Sequence, residues 1–288
     1  MRLPLWTGTL LLLILPAAGP AYAQDCDRAC LAGFVTDYLD ALVADDPSAV
    51  PLAPGVRFTE DTVGMEVGQG LWATASGLRG YRQDILDVRE AIAASQVVVE
   101  EGGAPVLLML RLRIEDMLIS EIETVVTRSR EEGIILNVGG VESADRTVMD
   151  YVPLPSERLS REDAIRIARF YPEGLTIGSF TTIDAPFAPN AYRLENGAVM
   201  AGPGCSRGGC ENIKTQNIIA HPDLTTRVVA VDEEMGIVLL RMNFGDTGNY
   251  GPGNALIVWE AFKVYGGQVH AVEAFMEIMP ADAPSGWD

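Results

Sequence analysis

Positive charge is scarce in this chain. Its 21 lysines and arginines stand against 40 aspartates and glutamates, a formal net charge of −19. Such a surface repels phosphate backbones and anionic lipid, which argues against nucleic-acid binding and adsorption to an acidic membrane. Histidine is scarcer still, with His221 and His270 as its two copies. Neither lies near a cysteine, and intervals of three and four residues within the cysteine pairs make a poor zinc ligand set, so no metal site is expected. No Ser-His-Asp set can be assembled. The glycine-rich stretch 245–254 lacks the Lys-Ser/Thr end of a phosphate loop and sits between strands, so it reads as an exposed turn. No cofactor is expected. After residue 23, no uninterrupted apolar run is long enough to span a bilayer.

What is present begins with an export signal. Arg2 supplies the charged start, Thr9–Ala18 the apolar run, and Ala21-Tyr22-Ala23 a small-x-small cleavage site. Removing those 23 residues from 288 leaves 265, enough for two domains of ordinary size. All four cysteines, Cys26, Cys30, Cys205 and Cys210, fall in that part, and an even count behind an export signal reads as disulfides. Four cysteines join in three ways. Cys205–Cys210 is the favoured local pair because Gly204, Gly208 and Gly209 let the chain fold back. Cys26–Cys30 requires Cys26 to stand before the first helical turn, since regular i,i+4 geometry holds the sulfurs apart.

The organising stretch is a hairpin near the end. Leu256–Tyr265 and Gln268–Ile278 flank Gly266-Gly267, a pair that tolerates positive φ. A second copy lies 150 positions earlier, turning near Asp116-Met117, with Ile114, Ile122 and Glu123 in the places of Val264, Val272 and Glu273. Upstream, Phe187–Asn196 repeats Leu52–Asp61 at an offset of 135. Each half opens with a helix. The first is expected over Cys26–Ala44, capped by Asp25. The second is expected to follow Ser160, with Asp163 completing a near capping box, and to end before Pro172. Strands are expected at Gln96–Glu100, Pro105–Ile114, Leu118–Arg128, Arg227–Val231 and Ile237–Phe244, with a polar, unassigned stretch around Tyr81–Ala94. The expected division is a signal at 1–23, a first domain at 24–130, a linker at 131–155, a second domain at 156–280 and a tail at 281–288.

The order helix, irregular segment, antiparallel strands occurs twice and resembles the nuclear transport factor 2-like (SnoaL-like) family. The resemblance is carried by Pro51–Asp61, Gly70-Leu71-Trp72, Leu112–Arg128, Ala188–Gly197 and Arg227–Gly236, with Asp232-Glu233-Glu234-Met235-Gly236 among its better markers. More narrowly, the chain resembles secreted fungal and bacterial proteins of unknown function that carry two such domains. The resemblance implies an α+β fold of two tandem cone-shaped domains, each with helices packed on a strongly curved antiparallel sheet. Relatives of the wider fold include isomerases, cyclases, dehydratases and non-catalytic binding modules.

Strict alternation along the second hairpin puts Leu256, Val258, Glu260, Phe262 and Val264 on one face, with Glu260 opposite Glu273. Two carboxylates facing each other among apolar side chains repel one another, and one of them then keeps its proton. Glu260 and Glu273 are therefore the candidate acid and base. In the first copy Leu110 takes the place of Glu260, so the second copy is the expected site. Tyr192, Arg193 and Glu195 enter the second domain together and are candidate ligand contacts, as are Arg241 and Asn243 on one strand face. His270 falls on the opposite face unless a bulge turns it inward, and His221 before Pro222 reads as a turn residue. The resulting expectation is an exported protein that binds a small molecule, and a cofactor-independent lyase, dehydratase or isomerase if the carboxylates act. The alternative is a non-catalytic binding or assembly module with both domains packed solid, in which case a homodimer is the partner to consider.

Overall fold

Residues 26–284 and 287 are described in the computed structural model; the expected export signal, residues 1–23, lies outside them. Helix α1 (Arg28–Ala44) starts at Asp27, whose side chain accepts from the Cys30 N–H, so the cap is Asp27 and not Asp25. That start leaves Cys26 outside the helix, and Cys26–Cys30 closes as a disulfide. Leu31, Phe34, Val35, Tyr38, Leu39 and Leu42 form its buried stripe. Then come β1 (Leu52–Glu60), β2 (Val63–Gly64), β3 (Ala75–Asp87), β4 (Ile92–Glu101), β5 (Ala104–Glu115) and β6 (Leu118–Thr127). Short helices α2 (Arg130–Gly133) and α3 (Val138–Glu142) follow before α4 (Arg161–Ile177). The second set is β7 (Phe187–Glu195), β8 (Ala198–Ala201), β9 (Thr225–Asp232), β10 (Ile237–Asn243), β11 (Asn254–Tyr265) and β12 (Gln268–Pro280).

The two halves have one topology. The sheet orders are β2-β1-β6-β5-β4-β3 and β8-β7-β12-β11-β10-β9. These are two sheet-dominated domains with few helices, an α+β arrangement. Three local expectations are corrected. The segment before the meander is a strand in each half, and it runs parallel to the last strand, so the sheets are mixed. The stretch around Tyr81 is paired too, since β3 lies antiparallel to β4. Helix α4 continues through Pro172 to Ile177, its second half held by the buried Leu175 and Gly174. The missing proline N–H costs one bond, which packing against the sheet offsets.

The hairpin register is the correction with most consequence. Val264 pairs with Val269, but Lys263 pairs with Ala271, leaving His270 as an extra residue on β12. A bulge of this kind shifts every later residue by one, and a shift of one reverses the face. Glu260 therefore lies across from Ala274, and Glu273 from Ala261. The expected opposition of Glu260 and Glu273 does not form. The first hairpin carries the same bulge at Ser120, so Glu123 lies across from Arg111 and not Leu110. The turns match as well: Gly266 and Gly267 have φ of 57° and 81°, Asp116 and Met117 51° and 61°.

Each sheet is buried on both faces. One face packs on its own helix, α1 for the first sheet and α4 for the second. The other packs on its counterpart, where Ile85, Val98, Leu107 and Met109 meet Ile237, Leu239, Ile257, Trp259 and Phe275. The result is a helix–sheet–sheet–helix stack. Cys205–Cys210 is closed as well, and two disulfides suit an oxidising compartment. Among the described residues, no helix is long and apolar enough to cross a membrane.

Candidate functional site

The two helix-covered interiors differ, and the internal repeat shows why. Helices α1 and α4 are both 17 residues long and align in sequence at an offset of 133, so Tyr171 takes the place of Tyr38. Leu31, Phe34 and Val35 are replaced by the smaller Ala164, Ile167 and Ala168. In the first domain Trp72 is fully buried and donates its indole N–H to the Tyr38 hydroxyl at 2.9 Å, filling the space beside it. Leu108, Leu110 and Leu112 close the same interior with no solvent exposure. In the second domain, a cavity of about 520 Å³ lies beside Tyr171. Two further exchanges change its chemistry. Arg193 replaces Phe58, and Glu260 replaces Leu110. Both line the cavity.

Strand β7 brings Arg193 and Glu195 to the cavity wall, and β11 brings Glu260. Arg193 sits 2.8 Å from Glu195 through Nε and Oε1, and its Nη1 donates to the Tyr171 hydroxyl at 3.2 Å. Glu260 is 2 % exposed, and its Oε2 has no hydrogen-bond partner among the described residues. Burial, then the nearby Glu195 charge, pushes its pKa up to about 8, against smaller downward pulls from Arg193 and the Tyr171 hydroxyl. At neutral pH Glu260 is therefore a protonated acid next to a cation and a phenol. Tyr171 is itself raised well above its ordinary range, chiefly by burial.

The remaining wall is mostly apolar, with Ile135, Leu175, Met200, Phe244, Leu256, Val258 and Met276. His221 also faces the cavity, and reading it as a turn residue missed this. It is 5 % exposed, packs 4.6 Å from Phe244 by ring centroids, stacks on Tyr250, and leaves Nδ1 without a partner among the described residues. Burial lowers its pKa, so the ring is neutral. Tyr250, Tyr171, Arg130 and Arg207 were missed as well. Tyr171 lies on the buried face of α4, where helical period marks it only as core, and the others come from loops or the inter-domain segment with no periodic signal.

Of the eight acid, base and ligand candidates, Glu260, Arg193 and Glu195 meet in this cavity. Five do not. Glu273 lies on the face between the sheets, where it accepts from the Tyr81 hydroxyl at 3.0 Å and the Tyr192 hydroxyl at 2.6 Å. Burial raises its pKa, and the two tyrosines pull it back. Tyr192 is thereby turned away from the cavity. Arg241 and Asn243 do share a face, but it is the one toward the first sheet: Arg241 lies near Glu123, and Asn243 donates to the Ala281 carbonyl. His270 stacks flat on Tyr265 at 3.6 Å and contacts its carbonyl, so the bulge does not turn it inward. Glu123, the first-domain counterpart of Glu273, is buried and gripped by Arg227 of the other sheet at 2.7 and 2.8 Å. Among the described residues, no group of three His, Cys, Asp or Glu side chains could hold a metal ion.

A family model described as a domain of unknown function (DUF8021) matches residues 157–276, which span α4 to β12 and most of the cavity frame. No curated protein matches. Among solved structures, the chain is similar to the crystal structure of an IdmH 96–104 loop truncation variant, at 17 % identity and a TM-score of 0.28. That likeness covers 33 % of this chain and 91 % of the IdmH chain.

Proposed function

We propose that the second domain takes up a small, largely apolar molecule and that Glu260 exchanges a proton with it. The observation that carries this is a carboxyl enclosed in the wall of a cavity of about 520 Å³, with one oxygen unpartnered among the described residues. Buried polar atoms are ordinarily satisfied, so an orphaned one beside open space marks a place for a partner. A carboxyl that titrates near 8 is also a stronger base once ionised than an ordinary glutamate. Arg193 and Tyr171 stand beside it as donors for negative charge developing on a substrate oxygen. This supports proton abstraction next to a carbonyl, the step shared by cofactor-independent isomerases, dehydratases and lyases. We also read the two domains as SnoaL-like cones and the protein as exported, on the sequence resemblance, the export signal and the disulfides. The alternative of two solidly packed domains fits the first interior but not the second.

The test is exchange of the α-protons of 2-tetralone, a neutral bicyclic ketone, in D2O, followed by NMR. Glu260 removes the C1 proton, the enolate forms beside Arg193, and deuterium returns from solvent. Exchange above the buffer rate, rising with pH toward about 8 and abolished in Glu260→Gln, is the expected result. A rate equal to buffer, or one that Glu260→Gln leaves unchanged, removes Glu260 as the base.

A further inference from the structure

The cavity mouth carries charge that its floor does not. Arg130 and Arg207 line it, and both are exposed. Arg130 opens α2 in the segment between the domains, and Arg207 sits inside the ring closed by Cys205–Cys210. They come from positions 77 residues apart, and the fold brings both to the lining of one cavity. Among the described residues, neither has a carboxylate at ion-pairing distance. Most of the described arginines, Arg28, Arg128, Arg161 and Arg227 among them, are held by carboxylates; Arg130 and Arg207 share the lack of one with Arg158 and Arg169, and of these only Arg130 and Arg207 line the cavity. Inside, Arg193 and Glu195 form an ion pair, Glu260 keeps its proton at neutral pH, and His221 is neutral. The lining thus holds two uncompensated positive charges within a protein of net charge −19.

We propose that the ligand is an amphipathic anion, its apolar body inside the cavity and its headgroup, a carboxylate or sulfonate, held at the mouth between Arg130 and Arg207. This rests on the second domain being a small-molecule site and adds the class of molecule it takes. The long-range field of the acidic surface repels anions, so selectivity must come from the local pair of guanidinium groups. Their planar forks suit a two-oxygen headgroup. The disulfide ring anchors the backbone of one arginine and the inter-domain segment that of the other, so only the two side chains must be ordered when the ligand arrives.

The test uses two fluorescent probes with the same aromatic body. One is 8-anilinonaphthalene-1-sulfonate, which carries the headgroup; the other is neutral N-phenyl-1-naphthylamine. Wild-type protein should bind the sulfonate more tightly. Arg130→Gln with Arg207→Gln should weaken the sulfonate by about three- to tenfold, the scale of two exposed ion pairs, and leave the neutral probe unchanged. Sodium chloride should weaken sulfonate binding in wild type and have little effect in the double variant. Met200→Trp, at a half-buried edge-strand position on the wall, should block both probes and so locate them in the cavity. If the neutral probe binds and is blocked by Met200→Trp, but the sulfonate binds no better and ignores both arginines, the anion assignment fails while the cavity reading stands. If neither probe binds, the cavity reading itself fails.

Discussion

Glu260 shows how one exchanged side chain sets both chemistry and stability. A carboxyl near 4.5 when unfolded and about 8 when folded takes up a proton on folding between those limits. Its folded pKa is raised, so stability is greatest below the unfolded value and is lost as pH rises toward 8. Across pH 6.5 to 8 this one group costs about 1.5 kcal/mol. Glu277 acts in the same direction, its pKa raised by burial and by the neighbouring Asp61, Glu132 and Glu60 charges. His221 and His270 act oppositely, but both are lowered from 6.5, so their effect is confined to lower pH. Thermal melts should therefore fall from pH 6.5 to 8, and Glu260→Gln should flatten that slope; an equal slope in the variant would contradict the assignment. Glu123 makes a different case, since it is 3 % exposed and bound by Arg227 through both oxygens. Arg227→Met removes both hydrogen bonds to a buried carboxylate, leaving it only the nearby Arg111 and Arg241 charges, and should cost up to about 3 kcal/mol by denaturant titration. The exchange Glu123→Leu with Arg227→Met should recover much of that loss. Without recovery, the pair is not the reason for the cost.

At the scale of elements, the second hairpin was legible because Gly266-Gly267 and β-branched residues specify strands and turn together. The strand β3 was not: its first half is mostly exposed and interrupted by Gly77 and Gly80, so no period of two survives. The parallel placement of β1 and β7 is set by pairings more than 60 residues distant, which no local pattern encodes. The bulge at His270 left no glycine or proline to mark it, and a single unmarked residue was enough to send Glu273 to the wrong face. Half of the floor of the site was readable all the same, because Arg193, Glu195 and Glu260 sit on strands. The mouth was not, because it is built from α2 and loops. The segment before α4 was expected to be a linker, and it is tightly docked. Asn196 donates to the Gly133 and Ile135 carbonyls, and a Cβ on Gly197, at φ 84°, would stand 1.9 Å from the Asn137 carbonyl oxygen. Gly197→Ala should therefore lift this segment, costing at least about 1 kcal/mol in denaturant titration. It should also weaken probe binding, since Arg130, Ile134 and Ile135 line the cavity from the same segment. Lost stability with unchanged binding would show that the segment does not shape the site.

For the whole molecule, the decisive feature is that the halves meet as an isologous pair inside one chain. Asp87 ends β3 and accepts from Arg161, at the start of the other domain's helix, and from the Val231 N–H. Asp232 ends β9 and accepts from Arg28 and from the Leu86 N–H in the mirror arrangement. Residue i contacting j while j contacts i is the signature of a twofold interface, and here the repeat supplies both sides. Between those clasps lies a buried layer whose apolar part includes the fully buried Trp259, Ile257, Leu107 and Met109. Gln96 crosses it to donate to the Trp259 carbonyl. Each large side chain there is worth about 1.5–3 kcal/mol of burial, and it exists for neither domain alone. That sum exceeds what a domain of this size retains as net stability. The two domains should therefore unfold as one cooperative unit, with a single calorimetric transition whose van't Hoff and calorimetric enthalpies agree. Asp87→Asn and Asp232→Asn should each lower that one midpoint, and an isolated 156–280 fragment should not give a cooperative melt. Two resolved transitions in the intact chain, or a folded fragment, would show that each sheet is stable without its counterpart. The cavity would then need only the second domain and the inter-domain segment docked on it, independent of the packed first domain behind it.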